Sequence, residues 1–382
     1  MSVVSITSAG RNTGRNSAGS AVSIATARSA SEPRVAVLLN ANARQVNGHV
    51  LRALSHVVGR GDLMLSRSPL ETRSVARKVL DGGYDTVFCG GGDGTFIAFV
   101  NAILAERETR FPAHPLPRFG VLRLGTGNGL ASWVSASTPR GDGFLDDVLR
   151  ARANQVPSER TLHLLDVEGQ RAPFAGVGID GQVLNDYVWI REHLGKGALS
   201  RVLSGGRGYF SAVALRTLPH YLTHATLREC EVWNTGDAPA FRLDDKGHTT
   251  DVIEPGGVLF RGRTLLASAA TIPYFGYAMR MFPFADQRPA HFQLRLASVG
   301  VTDVLPNLGR LWKGEWFPKD KVQDFHARNV RVVFDEPMPL QIGGDAEGYR
   351  SHVTFGVSKD TLQLLDFRGN SPRATGRPSV AR

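Results

Sequence analysis

A glycine-rich turn with a single carboxylate, GGGDGT at residues 90–95, lies between an apolar run and a helix-like stretch. A strand that ends in such a turn and opens a helix directs free backbone N–H groups at one point, and glycine lets phosphate oxygens approach closely. The pattern indicates either an anion-binding turn or a plain strand–helix connection. It is not GxxxxGK[ST], and Thr95 stands where GxGxxG requires its third glycine.

A second turn of the same kind, LGTGNGLA at 124–131, follows the next apolar run. Its glycines allow close approach of a ligand, while Thr126 and Asn128 add a hydroxyl and an amide. Open α/β sheets bind ligands in the crevice at the carboxyl ends of their strands. The two turns are therefore predicted to face each other across one crevice.

The elements that must position these turns alternate between short apolar runs and amphipathic stretches, which predicts a sheet with crossover helices. Strands are predicted at 35–39, 86–89 and 119–124, and helical spacing is present at 50–58 and 96–105. The best-marked helix has Ser68 as its N-cap, Glu71 three residues later and a stop at Gly82 and Gly83.

Beyond residue 155 the pattern changes to alternating strands, which predicts an antiparallel sheet. These strands are expected at 161–169, 258–268, 291–298, 330–334, 352–357 and 362–367. The predicted fold class is α/β with two domains: an α/β domain with a mainly parallel sheet at 33–155 and a β-rich antiparallel domain at 156–367. A helical insert is expected around 209–222. Residues 1–32 and 368–382 are predicted to be disordered basic tails, with a transit peptide as the alternative for the first.

The composition limits the class of protein. With 382 residues, 42% of them hydrophobic, the chain can bury a substantial core, as expected of an enzyme or binding protein. Its net charge is +10, but residues 1–31 and 367–382 hold seven arginines and no acid, which leaves +3 for the body. This distribution disfavours specific nucleic-acid binding. Two cysteines are too few for a disulfide framework, and no apolar run reaches about 18 residues.

Five segments in order carry a family resemblance: GGGDGT, LGTGNGLA, GVGIDGQV at 176–183, YFGYAMRMFPFA at 274–285 and GGDAEG at 343–348. Together they resemble the diacylglycerol kinase catalytic family, which includes bacterial lipid kinases and sphingosine and ceramide kinases. The resemblance covers 34–367 and implies a nucleotide-binding domain, a β-rich domain and an active site in the cleft between them. It also implies ATP and Mg²⁺ as cofactors and phosphoryl transfer to a hydroxyl of diacylglycerol or a similar lipid.

The same resemblance assigns the cofactor-binding residues by position. They are Asn40 of an early Asn-Pro motif, Gly91, Gly92, Asp93, Gly94 and Thr95 of the phosphate loop, and Gly125, Thr126 and Asn128 of the second nucleotide element. Asp93 is predicted to act through Mg²⁺, because a carboxylate facing a polyphosphate repels it unless a divalent cation lies between them. The alternative is a helix N-terminal acid stabilised by the helix dipole.

Phosphoryl transfer to an alcohol needs a group that receives the hydroxyl proton. In the resembled family this is an aspartate of an Asp-Gly-Glu element. Here the segment QIGGDAEG can be aligned with this element in two ways, and Asp345 matches an element position in both. Asp345 is therefore the predicted base, and Glu347 is a weaker second candidate. Asp180 falls where the family places an acid near the metal. Solvated or Asx-turn acids are the alternatives for Asp345 and Asp180.

The chain also departs from the family pattern. Asn40 is followed by Ala41 instead of proline, and Asn128 is followed by Gly129, where the family usually has aspartate. These changes leave three rival interpretations: a sphingoid or ceramide kinase, a relative of NAD kinase, or a non-catalytic nucleotide or lipid binder.

The predicted partner is a lipid substrate at a membrane surface, reached by a cytoplasmic protein that associates peripherally with the membrane. A homodimer is compatible with the sequence, which does not set the oligomeric state. Residues 271–289 and 187–222 are candidate membrane contacts, with strand packing and a solvated helix face as their alternatives.

Overall fold

The computed structural model describes residues 33–43, 45–112, 114–125, 128–156, 158–182, 227–275, 279–316 and 318–368. The predicted tails at 1–32 and 369–382, the insert at 209–222, the membrane candidate at 187–222 and Thr126 lie outside the described residues. Within the described ranges the helices are α1 Gly48–Val58, α2 Pro69–Gly82, α3 Asp93–Arg110, α4 Gly129–Trp133, α5 Gly143–Arg152 and α6 Val301–Lys313, with a 3-10 turn at Arg140–Asp142. No helix among them is long and apolar enough to cross a bilayer.

The strands of the first part of the chain are β1 Val35–Asn40, β2 Leu63–Ser66, β3 Thr86–Gly91 and β4 Arg118–Arg123. They form the order β2-β1-β3-β4 with all pairs parallel; the parallel sheet was predicted, whereas β2 and the strand order were not. Their apolar runs are buried on both faces, since α2, α3 and α4 contribute to the core on one face and α1 and α5 on the other. All four strands therefore end at one edge of the sheet, next to the glycine turns.

Helix α2 shows how locally encoded signals set these elements. Ser68 caps it by accepting a hydrogen bond from the Glu71 amide at 3.2 Å. The Glu71 carboxylate in turn accepts a hydrogen bond from the backbone amide of Arg67, one residue before the cap, at 2.7 Å. Gly83 ends the helix in the left-handed conformation, with φ +59°. The predicted helix at this position is confirmed.

The second part of the chain is β-rich. Its strands are β5 Ser158–Val167, β6 Gln170–Ala172, β7 Phe174–Gly178, β8 Arg228–Asn234, β9 Ala240–Leu243, β10 Thr249–Ile253, β11 Val258–Thr264, β12 Leu266–Ala270, β13 Phe292–Ala297, β14 Val322–Ala327, β15 Asn329–Ile342 and β16 Asp345–Asp366. They pair antiparallel in the order β10-β9-β14-β13-β12-β7-β15-β16. Strand β8 also pairs with β15 and carries β11 on its other side, and β5 pairs with β16 and with β6. The predicted fold class, a parallel α/β sheet followed by an antiparallel β-rich region, is confirmed.

Strand β16 joins the two parts of the sheet. It pairs antiparallel with β5 through residues 356–366, and Leu364 is the parallel partner of Phe119 on β4. Leu362, Leu364 and Leu365 are fully buried there. The end of the chain's described part thus returns to the α/β sheet and completes its core.

Several element boundaries differ from prediction. The strand predicted at 258–268 is divided at Leu265 into β11 and β12, and those predicted at 352–357 and 362–367 are one continuous strand. The apolar alternation breaks at Ser358 and Asp360, but both side chains are buried and Asp360 lies 3.5 Å from Arg107, so the backbone stays extended. Helix α6 was not predicted, since it contains Pro306 and a glycine.

Candidate active site

The two glycine turns lie together at the carboxyl edge of the parallel sheet. Gly91 and Arg123 are partners in the β3–β4 register, so both turns begin at the same level. A Cβ atom on Gly125 would overlap the backbone N and Cα atoms of Gly92. The two backbones therefore touch, as the prediction of one shared crevice requires, and only glycine fits at position 125.

Asp93 connects the two turns. It is the first residue of α3, and its carboxylate accepts hydrogen bonds from the backbone amides of Gly129 at 2.8 Å and Leu130 at 3.1 Å. These amides open α4, so the acid satisfies donors that a helix N-terminus leaves free. Burial raises the pKa of Asp93, and the two backbone hydrogen bonds oppose that rise. Asp93 is thus an acid in the first turn of α3, and it also caps the N-terminus of α4.

The space around Gly129 collects oxygen atoms. A Cβ atom on this glycine would lie 3.1 Å from the Phe275 carbonyl oxygen, 3.4 Å from that of Tyr274 and 3.3 Å from Asp93 Oδ2. Asn128 has φ +53° and donates to the Gly125 carbonyl at 2.9 Å. Its buried Oδ1 has no hydrogen-bond partner within the part of the chain that the structure describes. Main-chain, amide and carboxylate oxygens are the ligands that hard cations take.

Asn40 ties the end of β1 to the phosphate-loop candidate. Its amide donates to Thr95 Oγ1 at 3.1 Å, and its carbonyl oxygen accepts from the Asn42 amide at 2.9 Å. Thr95 in turn lies against Gly91, where a Cβ atom would be 2.5 Å from the hydroxyl oxygen. The structure therefore brings Asn40 to the Gly91–Thr95 turn, although Asn40 and Thr95 are 55 positions apart in sequence.

Beside Thr95 opens a cleft of about 370 Å³ between the N-terminal turns of α2 and α3. Its polar lining includes residues that the sequence reasoning missed: Asn42, Ser66, Arg67, Ser68, Thr72 and Arg73. Only Ser68 was recognisable in the sequence, as a helix cap. Strand β2 was not predicted, and its last residue Ser66 lies beside Asn40 because β2 pairs in parallel with β1.

Asp180 does not line this cleft and lies in the helical turn at 179–182, which follows β7. Its Oδ2 accepts from Ser268 Oγ at 2.8 Å and Gln341 Nε2 at 3.1 Å, and its Oδ1 accepts from the Gly181 amide at 2.9 Å. Burial raises the pKa of Asp180, against the lowering effect of these hydrogen bonds. The bond to Gly181 reaches the next residue, whereas an Asx turn bonds the amide two residues on, so the Asx-turn alternative and the metal-ligand role both stay predictions.

The predicted base lies on the β15–β16 hairpin. Gly343 and Gly344, with φ +61° and +93°, form the two-residue turn, and Asp345 is paired with Ile342 directly across it. The turn packs on α3, since a Cβ atom on Gly343 would lie 2.5 Å from Ile97 Cδ1. Asp345 is exposed and follows this turn directly. Glu347, the second candidate, is half-buried near the left-handed Gly348.

The segment after β12 closes one side of the site. Phe275, Phe282 and Phe284 are buried, so the packing alternative for 271–289 is confirmed for these side chains and they are not free to enter a membrane. Trp133 at the end of α4 donates to Asp286 at 3.1 Å. The segment thereby connects the α4 turn to the β-rich sheet.

Comparison with known proteins agrees with this architecture. Residues 34–158 match the family model described as the diacylglycerol kinase catalytic domain. The resemblance inferred from the motifs is therefore confirmed for a kinase-type domain in the α/β part of the chain. No curated protein gives a significant match.

Three of the similar solved structures come from Bacillus anthracis str. Sterne. Two putative diacylglycerol kinases align with TM-scores of 0.57 and 0.56 at 12% identity. Each alignment covers 88% of the present chain and 97% of the matched kinase chain. A third structure, described as a diacylglycerol kinase, aligns with TM-score 0.53 at 11% identity over the same shares. At these identities the likeness shows a common fold.

Proposed function

We propose that this protein is an ATP-dependent lipid kinase that transfers the γ-phosphoryl group to a hydroxyl of diacylglycerol or a similar lipid. The observation that carries the proposal is the convergence of the two glycine turns, joined by Asp93, beside a polar cleft. It is supported by the family match of the same residues.

The nucleotide is assigned to the cleft between α2 and α3. Phosphates are placed at the 90–95 turn, where backbone amides at the start of α3 and the absence of Cβ atoms favour anions. Arg67 and Arg73 line the same cleft and supply positive charge. Arg73 is held near the buried carboxylate of Glu106, at 3.7 Å.

The donor set fits a hard divalent cation. No cluster of three or more His, Cys, Asp or Glu side chains that could hold a metal occurs in the described ranges. Mg²⁺ is commonly bound through one or two protein carboxylates together with substrate phosphates. Asp93 and the Oδ1 atom of Asn128 are the residues assigned to hold Mg²⁺, which would neutralise charge on the transferred phosphoryl group. Residue 129, where the resembled family usually has aspartate, is glycine here and supplies no second carboxylate to this site.

Asp345 is assigned the acceptor's proton. It follows the Gly343–Gly344 turn that packs on Ile97 of α3, and an exposed carboxylate can accept a proton from a hydroxyl presented to it. Backbone amides at the turns would stabilise the charge that develops during transfer.

The test is transfer of radiolabelled phosphate from ATP to diacylglycerol, monoacylglycerol, ceramide, sphingoid bases and NAD in parallel. The wild type should label a lipid, and Asp345→Asn should lower kcat by about 10²- to 10⁴-fold while ATP binding is retained. Asp81→Asn, at an exposed position of α2, is the matched control and should leave kcat unchanged. Label on NAD alone contradicts the lipid assignment, and ATP binding without any transfer favours the non-catalytic binder.

A further inference from the structure

A buried carboxylate lies over a glycine where three strands run side by side. Ser268 on β12 and Gln341 on β15 are both register partners of Gly176 on β7, so the three residues share one face of the sheet. Asp180, in the helical turn at 179–182 after β7, folds back over Gly176. A Cβ atom on Gly176 would overlap Asp180 Oδ2 and Ser268 Oγ, so the missing side chain makes the room.

The orientation of the Gln341 amide follows from its two partners. One partner, the Asp180 carboxylate, accepts, so it requires the Nε2 group at 3.1 Å. The other, the Gly344 amide, donates, so it requires the Oε1 atom at 3.0 Å. Gln341 and Ser268 are fully buried. Each of these polar groups therefore depends on the others for its hydrogen bonds.

The chain of contacts ends at the predicted base. Gly344 is the second residue of the hairpin turn, and Asp345 follows it. The preceding Gly343 donates to the Phe174 carbonyl at 2.9 Å and lies against Ile97 of α3. The Gln341 side chain thus restrains the backbone amide of Gly344. This amide belongs to the turn that packs on α3, and the Asp345 carboxylate follows it directly.

We propose that Gln341 is a positioning residue for phosphoryl transfer, holding the Gly343–Gly344 turn and hence Asp345, with Asp180 as its buried anchor. The proposal rests on the lipid kinase function proposed above. It gives Asp180 a role in orienting Gln341, since its oxygens already accept three hydrogen bonds from protein donors. Correct placement of a general base has a large effect on the rate, because a displacement of about 1 Å can lower the rate about 10²-fold.

The first arm of the test removes the restraint. Gln341→Leu keeps a similar volume but neither donates nor accepts, so the Gly344 amide should exchange with deuterium at least about tenfold faster. The kcat for lipid phosphorylation should fall at least about tenfold, with the dissociation constant for ATP unchanged. Gln363→Leu, at an exposed position of β16, is the matched control and should change none of these quantities.

The second arm is a rescue. Gln341→Glu alone places two carboxyl groups together and should resemble the leucine variant. The double variant Asp180→Asn with Gln341→Glu exchanges acid and amide between the two positions. The introduced asparagine can donate to the introduced glutamate, whose other carboxylate oxygen accepts from the Gly344 amide. Protection of the Gly344 amide and kcat should both return towards the wild type.

The two arms separate this proposal from the assigned function. Unchanged exchange at Gly344 in Gln341→Leu, or failure of the double variant to restore protection, overturns the positioning role even if the wild type is an active lipid kinase. A wild type that transfers no phosphate overturns the function, while the exchange measurement still decides whether Gln341 holds the turn.

Discussion

At the scale of single residues, the site depends on positions where a side chain is absent. Gly125 permits contact between the two turns, and Gly176 leaves space for a buried carboxylate. Other glycines in the same motifs have no such constraint, since a Cβ atom on Gly94 would meet nothing within 4 Å. Motif membership alone therefore does not tell which glycine the fold requires.

This difference predicts opposite effects of two alanine substitutions. Gly125→Ala forces the turn away from the Gly92 backbone and should lower the free energy of unfolding by about 1–3 kcal/mol. Gly94→Ala, in the first turn of α3, should leave it unchanged or raise it by up to about 1 kcal/mol. Urea unfolding of the two variants measures both values. Equal stability of Gly125→Ala and wild type would contradict the observed contact between the turns.

At the scale of elements, buried polar side chains fasten the segment after β12 to the sheet. The Arg295–Asp324 pair is buried at 2.8 Å, and Gln293 accepts from the Phe284 amide at 2.9 Å. His326 Nε2 lies 2.7 Å from the Phe284 carbonyl oxygen, which fixes the imidazole as the donor. The same segment supplies the carbonyl groups at Gly129, so its attachment sets one wall of the site.

The pKa of His326 gives this attachment a pH dependence. Burial lowers its pKa below the ordinary 6.5, so the unfolded chain binds the proton more readily than the folded one. The contribution of neutral His326 to the free energy of unfolding is therefore complete at pH values above the ordinary pKa and is lost as the pH falls below that pKa. His326→Gln can still donate to Phe284 and should lose less stability between about pH 7.5 and about pH 5.

Unfolding by urea at several pH values measures the difference. His56→Gln, at an exposed position of α1, is the control and should follow the wild type. A pH dependence of His326→Gln identical to that of the wild type would show that this imidazole does not contribute.

At the scale of the whole molecule, β16 makes the α/β sheet and the β-rich sheet depend on each other. It pairs with β15, β5 and β4, and residues from Pro33 onward form one unit. A strand that contributes to both cores cannot leave one of them without exposing apolar side chains in the other. Both parts are therefore expected to unfold in a single transition.

Substitution within this shared strand tests the coupling. Leu364→Ala creates a cavity where β16 meets β4 and should lower the free energy of unfolding by about 2–5 kcal/mol, with fluorescence and circular dichroism transitions remaining coincident. Leu70→Ala, at a position 79% exposed, should change it by less than about 0.5 kcal/mol. Two separated transitions in the Leu364 variant would show that the parts unfold independently.

The sequence by itself determined the features that depend on short-range chemistry. Residues 68–83 encode a helix start and stop, and the alternation of apolar runs gave the parallel and antiparallel parts of the sheet. The glycine turns were recognisable because free amides and missing side chains have a local signature. The same signature, with the later motifs, gave the family resemblance, and the match over 34–158 confirms it for the part of the chain that holds the two glycine turns.

Only the tertiary structure decided which distant groups meet. The contact of Asp93 with the Gly129 amide joins residues 36 positions apart, and the contact of Asp180 with Gln341 joins residues 161 positions apart. Local spacing carries no information about such pairs, because strand order and register set them. The cleft lined by Ser66 and Arg67 follows the same rule, since it exists only where β2 comes to lie beside β1.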